Sequence, residues 1–250
     1  MLTNTVYCID CVEGMTLLPP ECIDLTVTSP PYDKLRKYNG YTFDFEKTAL
    51  QLYRVTKEGG VVVWVVGDST KNGSETGTSF KQALFFKECG FNLYDTMIYR
   101  KQNYVPLSHR RYEQEFEYMF VFSKGKPKAF NPIKVPCKYA GTTTWGKATF
   151  HKTSDSGLVD CGVKKINDYK QHGNIFTYLT GKEKTKHPAP FPLQLAKDQI
   201  LTWSNEGEIV MDIFMGSGTT AKAAIETNRQ YIGFEISKAY CEMIKNRITE

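Results

Sequence analysis

The chain has 250 residues, 41% of them hydrophobic and 24% charged. That balance suits one large globular domain, or one domain with an insertion, and excludes disorder as its overall class. No run approaches the ~20 consecutive apolar residues of a membrane span, and Met1-Leu2-Thr3-Asn4 lacks the charged-then-apolar start of a signal peptide. The net charge of +5 is unevenly placed: residues 125–186 carry twelve lysines against four acids, a net +8 that leaves −3 for the rest. A basic segment on a mildly acidic body suits either a polyanion-binding insert or a solvated lysine face. Seven scattered cysteines include one Cys8-x-x-Cys11 but no second pair or histidine at zinc-site distance. Buried or incidental thiols in an intracellular protein are therefore expected, and no metal site.

In chain order, Tyr7-Cys8-Ile9 is β-prone and ends at Asp10, and Val12–Leu18 reads as a short helix stopped by Pro19-Pro20. Ile23–Val27 is a strand that runs into Thr28-Ser29-Pro30-Pro31-Tyr32. Proline has no N–H and a fixed φ, so neither helix nor inner strand continues through Pro30-Pro31. The backbone leaves the sheet stiff and extended, with a hydroxyl (Ser29) and an aromatic ring (Tyr32) at a strand's C-terminal edge, where open α/β sheets bind ligands. The Ser29 oxygen and the carbonyl between the prolines can accept hydrogens from an amine, and a ring can stack on a base. Asp33–Thr42, polar and basic with an Asn39-Gly40 turn, reads as a loop beside this site.

Phe45–Val55 shows a helical apolar face that Gly59-Gly60 is expected to close. Val61–Val66 is continuously apolar and β-branched, the pattern of a strand buried on both faces of a parallel sheet, with Trp64 in the core. Phe80–Cys89 is helical up to Gly90, and Tyr94–Arg100 and Glu115–Ser123 are strands. Between Gly125 and Lys186 the periodicity fades into an irregular, β-containing insert. Phe191–Trp203 returns to helical spacing. Glu208–Met211 is a strand, Thr219–Thr227 a helix, Tyr231–Phe234 a strand ending at Glu235, and Ser237 caps a last helix to Ile248. Alternating strands and helices of this kind predict a doubly wound α/β sheet.

Between the strand ending at Met211 and the helix at Thr219 lies Asp212-Ile213-Phe214-Met215-Gly216-Ser217-Gly218. Glycines there admit close backbone approach to a ligand, and Glu235 at the next strand's end is placed for a ribose diol. Dinucleotide binding competes with this reading. It is disfavoured because Ala221 stands where the third glycine of Gly-x-Gly-x-x-Gly belongs, and because Asp212 puts negative charge where a pyrophosphate would sit. An acid beside the glycine turn suits the cationic amino acid end of S-adenosylmethionine.

Ser29-Pro30-Pro31-Tyr32 resembles the catalytic motif of the DNA amino-methyltransferases, and Asp212-x-Phe214-x-Gly216-x-Gly218 resembles their adenosylmethionine-binding motif. Asp10, with Cys11 beside it, is similar to the acid that contacts the cofactor's adenine. His187-Pro188 through Phe191 resembles the segment before the helix covering the methionine part, and Arg111…Glu115…Phe122-Ser123-Lys124 looks like the strand lining the base pocket. Catalytic motif first, basic insert next and cofactor motif last resembles the circularly permuted β class. The resemblance implies a Rossmann-like, mainly parallel methyltransferase fold. Residues 1–124 would form its catalytic half, 125–186 a target-recognition insert and 187–250 the cofactor half. It further implies Ser29, Pro30, Pro31 and Tyr32 as catalytic residues. Asp10, Cys11, Ser29, His187, Pro188, Phe191, Asp212, Phe214, Gly216, Ser217, Gly218, Thr219 and Glu235 are implied as the binding set for S-adenosylmethionine.

The expected reaction is methylation of the exocyclic amine of a flipped base in double-stranded DNA, cytosine N4 before adenine N6, since a neutral hydroxyl at position 29 is the weaker acceptor. The resemblance also allows a homodimer, a cognate restriction endonuclease and a cytoplasmic, nucleoid-associated location. Two other readings stand beside it: a non-catalytic DNA-binding module, and methylation of RNA or protein.

Overall fold

The computed structural model describes residues 2–31, 44–104, 110–144, 149–151, 158–160, 162–180 and 192–249. Its elements begin with β1 (Thr5–Cys8), α1 (Cys11–Thr16), β2 (Ile23–Thr28), α2 (Phe45–Val55), β3 (Thr56–Val66), the small hairpin β4 (Thr70–Lys71) and β5 (Ser74–Glu75), and α3 (Thr78–Glu88). There follow β6 (Asn92–Lys101), β7 (Phe116–Ser123), β8 (Lys134–Pro136), β9 (Thr149–His151), β10 (Leu158–Asp160), β11 (Tyr169–Gln171) and β12 (Ile175–Tyr178). The chain ends with α4 (Leu193–Trp203), β13 (Ile209–Asp212), α5 (Thr219–Glu226), β14 (Gln230–Glu235) and α6 (Lys238–Thr249). The loop expected at 33–42 lies outside the described residues.

Eight strands form one sheet in the order β1-β14-β13-β2-β3-β7-β6-β12. All neighbours run parallel except β7, which is antiparallel to both β3 and β6. Val61–Val66 is therefore flanked by one parallel and one antiparallel partner; the apolar run reports burial on both faces and says nothing of direction. Helices α1, α2 and α3 pack together, and α4, α5 and α6 form a second group, which gives a doubly wound, three-layer arrangement.

The core beneath α1 to α3 is aromatic. Phe86 and Phe122 stack at 4.5 Å, Trp64 meets Phe86 edge-on at 5.1 Å, and the Trp64 indole N–H donates to Gln82 Oε1 at 2.9 Å. An indole needs such a partner when fully buried.

Gly59-Gly60 does not close α2. The helix passes directly into β3 at Thr56, and the two glycines lie inside the strand. Gly59 has φ +79°, and a Cβ on Gly60 would stand 2.8 Å from Thr56 Cγ2 and 2.9 Å from the Lys57 carbonyl. The register opposite shifts between Ile23 and Leu25, so these glycines serve a bulge. Ile175–Tyr178 adds to the main sheet, parallel to β6. Pro132–Gly173 forms a separate compact unit in which β8 pairs with β11 and β9 with β10, both antiparallel.

Candidate active site

The sheet's winding reverses between β13 and β2. From β13 the chain crosses through α5 to β14 on one side, and from β2 it crosses through α2 to β3 on the other. A crevice at the carboxyl ends of two strands diverging in this way is the ligand position of open α/β sheets. Val210 pairs with Leu25 and Met211 with Thr26, so the tips of both strands reach the same edge together.

The tips are tied by side chains. The Thr28 hydroxyl donates to Asp212 Oδ1 at 2.7 Å, although 184 positions separate the two residues. The Thr220 hydroxyl donates to Asp212 Oδ2 at 2.6 Å, and the Phe214 amide to Oδ1 at 3.0 Å. Asp212 is 1% exposed. Its carboxyl is held above the ordinary aspartate range by burial, against the lowering effect of these three donors. Asp212 thus anchors the turn and the neighbouring strand from within.

Around Gly216-Ser217-Gly218 the chain folds back on itself. The Met215 amide donates to the Phe234 carbonyl, and the Gly218 amide to the Met215 carbonyl at 2.8 Å. Gly216 and Gly218 adopt φ +51° and +80°, left-handed values natural to glycine. Gly218 starts α5, and a Cβ there would lie 3.0 Å from Ile244 Cγ2. Glu235 ends β14 beside this turn: Oε2 accepts from the Gly216 amide and Oε1 from the Ser237 amide, each at 2.8 Å. Burial raises its carboxyl too, opposed by these amides. Phe214 is half-buried, its ring 6.4 Å from that of Trp64.

Ser29 and Pro31 are half-buried and Pro30 is buried, directly after Thr28. Asp10 caps α1, its Oδ1 accepting from the Val12 and Glu13 amides at 2.8 and 3.2 Å. It follows the edge strand β1, whose Cys8 pairs with Glu235. Cys11 is buried with Sγ 3.9 Å from Thr48 Oγ1; burial first, and the Asp10 charge second, push its thiol up to about 12. Tyr32, His187, Pro188 and Phe191 lie outside the described residues. The structure therefore gathers Ser29, Pro30, Asp212, Phe214, Gly216, Ser217, Gly218, Thr219 and Glu235 along one sheet edge, with Asp10 next to the last strand.

Sequence reasoning overlooked Thr28, Thr220 and Arg247. A threonine just before Ser-Pro-Pro and another two residues past the second glycine were available signals for the first two. For Arg247, which donates to Ser217 and Thr219, nothing in a solvent-facing helical pattern marks it out.

A mainly parallel doubly wound sheet, a glycine turn at its switch point, an acid on the next strand and a Ser-Pro-Pro segment leaving the neighbouring strand fit the S-adenosylmethionine-dependent methyltransferase class. The residues fit that cofactor. Glu235, which takes one amide on each oxygen, keeps lone pairs for a hydroxyl pair. The buried Asp212 is committed to Thr28, Thr220 and the Phe214 amide and shapes the turn, and the Arg247 cation beside the turn is engaged with Ser217 and Thr219 oxygens.

A DNA methylase family model matches residues 23–246. The chain is 54% identical over 234 residues to orphan methyltransferase M.BamHII of Bacillus amyloliquefaciens, covering 90% of this chain and 88% of that protein. Among solved structures, PvuII DNA methyltransferase (cytosine-N4-specific) superposes with a TM-score of 0.74 at 18% identity, covering 100% of this chain and 88% of that one. The M1.HpyAVI–SAM complex gives 0.63 at 24%, covering 97% and 98%. These two likenesses bear on the fold. The chain belongs to the DNA methylase family: it is an S-adenosylmethionine-dependent DNA methyltransferase of the cytosine-N4/adenine-N6 group. Among the described residues no helix is long and apolar enough to cross a membrane.

Proposed function

We propose that this enzyme methylates cytosine N4 in duplex DNA, with the base turned out of the helix into the edge formed by β2 and β13. The observation that carries the reading is the Thr28–Asp212 hydrogen bond, which puts the start of the Ser29-Pro30-Pro31-Tyr32 segment against the root of the glycine turn. Ser29 Oγ and the Pro30 carbonyl accept the two hydrogens of the exocyclic amine. That pulls the nitrogen toward a tetrahedral shape and frees its lone pair. Tyr32 stacks on the base. S-adenosylmethionine supplies an electrophilic methyl group on a sulfonium.

Gly216, Ser217, Gly218 and Thr219 hold the cofactor chain, Glu235 its ribose and Asp10 with Cys11 its adenine end, with Phe214 alongside. Asp212 acts through the turn it supports. His187, Pro188 and Phe191 complete the methionine side. Orientation supplies most of the acceleration, and no covalent enzyme intermediate is needed.

The 125–186 insert, which contains the compact unit Pro132–Gly173, is the target-recognition region. Its exposed Lys134, Lys138, Lys164, Lys165 and Lys170 support contact with phosphates, which position without specifying sequence. A homodimer, a cognate endonuclease and a cytoplasmic location fit the same reading. A neutral hydroxyl at position 29, where a carboxylate would be the stronger acceptor, favours cytosine over adenine. Mass spectrometry of nucleosides from DNA treated with the enzyme is expected to show N4-methylcytosine; N6-methyladenine as the product would overturn the choice of base.

A further inference from the structure

The glycine turn is built from the residues with the most backbone freedom, so something outside it must hold its shape. Its own hydrogen bonds account for the Gly216 and Gly218 amides. The Ser217 carbonyl, at the apex, is reached by a side chain from the last helix. Arg247 Nη1 lies 2.8 Å from that carbonyl, 3.0 Å from Ser217 Oγ and 3.2 Å from Thr219 Oγ1, and the two hydroxyls are 3.1 Å apart. Ser217 and Thr219 are each 3% exposed, so these are sheltered, charge-assisted bonds. Three residues earlier on the same helix, Ile244 fills the space where Gly218 has no Cβ. Positions three apart share a helix face, so α6 supports the turn with one apolar and one cationic contact. The family match ends at residue 246, one short of this arginine.

We propose that Arg247 is a positioning residue for cofactor binding: its guanidinium fixes the Ser217–Thr219 turn in the form that receives S-adenosylmethionine. The inference rests on the reading of residues 216–219 as the cofactor turn. A positioning role of this kind acts on cofactor affinity and leaves the chemical step alone.

The test compares Arg247→Ala, the milder Arg247→Gln and the charge-keeping Arg247→Lys in the full chain, with S-adenosylmethionine binding read by calorimetry and steady-state kinetics varied in both substrates. Loss of a charge-assisted contact is expected to raise the cofactor Kd and KM in Arg247→Ala by roughly 10- to 100-fold. Arg247→Gln should fall between, and Arg247→Lys should recover part of the loss. The kcat at saturating cofactor and the KM for duplex DNA should stay at wild-type values. Wild-type cofactor affinity in Arg247→Ala, or in Arg247→Gln if the alanine variant does not fold, would overturn the proposal. So would a parallel fall in kcat and melting temperature with no recovery by lysine, the pattern of a merely structural residue. Wild-type protein that bound duplex DNA but not S-adenosylmethionine would instead overturn the cofactor reading of the turn itself.

Discussion

Ser29 and Thr28 are adjacent hydroxyl residues in different surroundings. Thr28 faces a carboxylate that is out of contact with water, donates to it, and so ties β2 to β13. Ser29, the next residue, is half-buried where the chain leaves the sheet. Because side chains alternate in direction along an extended strand, one hydroxyl can serve the fold while its neighbour is left for the proposed role of gripping the substrate amine. The two should therefore separate experimentally. Ser29→Ala is expected to lower kcat by about 100-fold or more, the scale of losing one polar group aimed at the reacting centre. Affinity for S-adenosylmethionine should remain at the wild-type value, because Thr28, Asp212 and Thr220 still hold the turn. Single-turnover rates together with equilibrium binding read both quantities; loss of cofactor binding in Ser29→Ala would remove Ser29 from the proposed amine-gripping role.

At the scale of elements, the glycine turn is where backbone geometry constrains the site most. Gly218 sits at φ +80° and its missing Cβ leaves room for Ile244, whose Cγ2 would be 3.0 Å away. An L-residue in the left-handed region costs roughly 1–2 kcal/mol, and Ile244 would have to give way as well. Gly218→Ala should accordingly lower the urea midpoint and weaken cofactor binding together, whereas alanine at Gly73, which has no atom within 4 Å of its Cβ position, meets only the backbone penalty of its own φ of +79° and should leave cofactor binding intact. Equal cofactor affinities in the two variants would show that the turn tolerates a side chain.

Elements like this one were legible because their signals are local. A double proline ends a strand, a β-branched run such as Val61–Val66 makes a buried one, and glycines between strand and helix mark a turn. What stayed hidden depends on partners far along the chain. Gly59-Gly60 reads as a helix stop because a bulge and a C-cap draw on the same residue, and only the pairing with β2 distinguishes them. The reversed direction of β7 and the pairing of Ile175–Tyr178 with β6 leave no trace in periodicity. Thr28, Thr220 and Arg247 acquire their roles only once β2, β13, α5 and α6 have been brought together.

For the whole molecule, bringing those elements together places two carboxyls, Asp212 and Glu235, in the interior at neighbouring strand tips. The donors they receive there are hydroxyls and backbone amides. For each, burial is the largest influence and raises the carboxyl's pKa above its ordinary value. A raised folded pKa means that the native state holds its proton more tightly than the unfolded chain does. The stabilising contribution is then complete below the unfolded values, about 3.9 for Asp and 4.3 for Glu, and is lost as pH rises through the folded ones. This is opposite in sign to the salt-bridged carboxylates that dominate ordinary acid denaturation.

Asp212→Asn removes one of these ionisations while keeping the side chain's size, so the test is a difference. The urea midpoint of the wild type minus that of Asp212→Asn should shrink as pH rises above the unfolded aspartate value of about 3.9, the variant gaining on the wild type toward neutrality. A difference that stayed flat over that range, or widened, would mean that the three donors hold the Asp212 carboxylate ionised at no net cost. The carboxyl would then be an electrostatic anchor of the switch point rather than a buried group tolerated for the connection it makes.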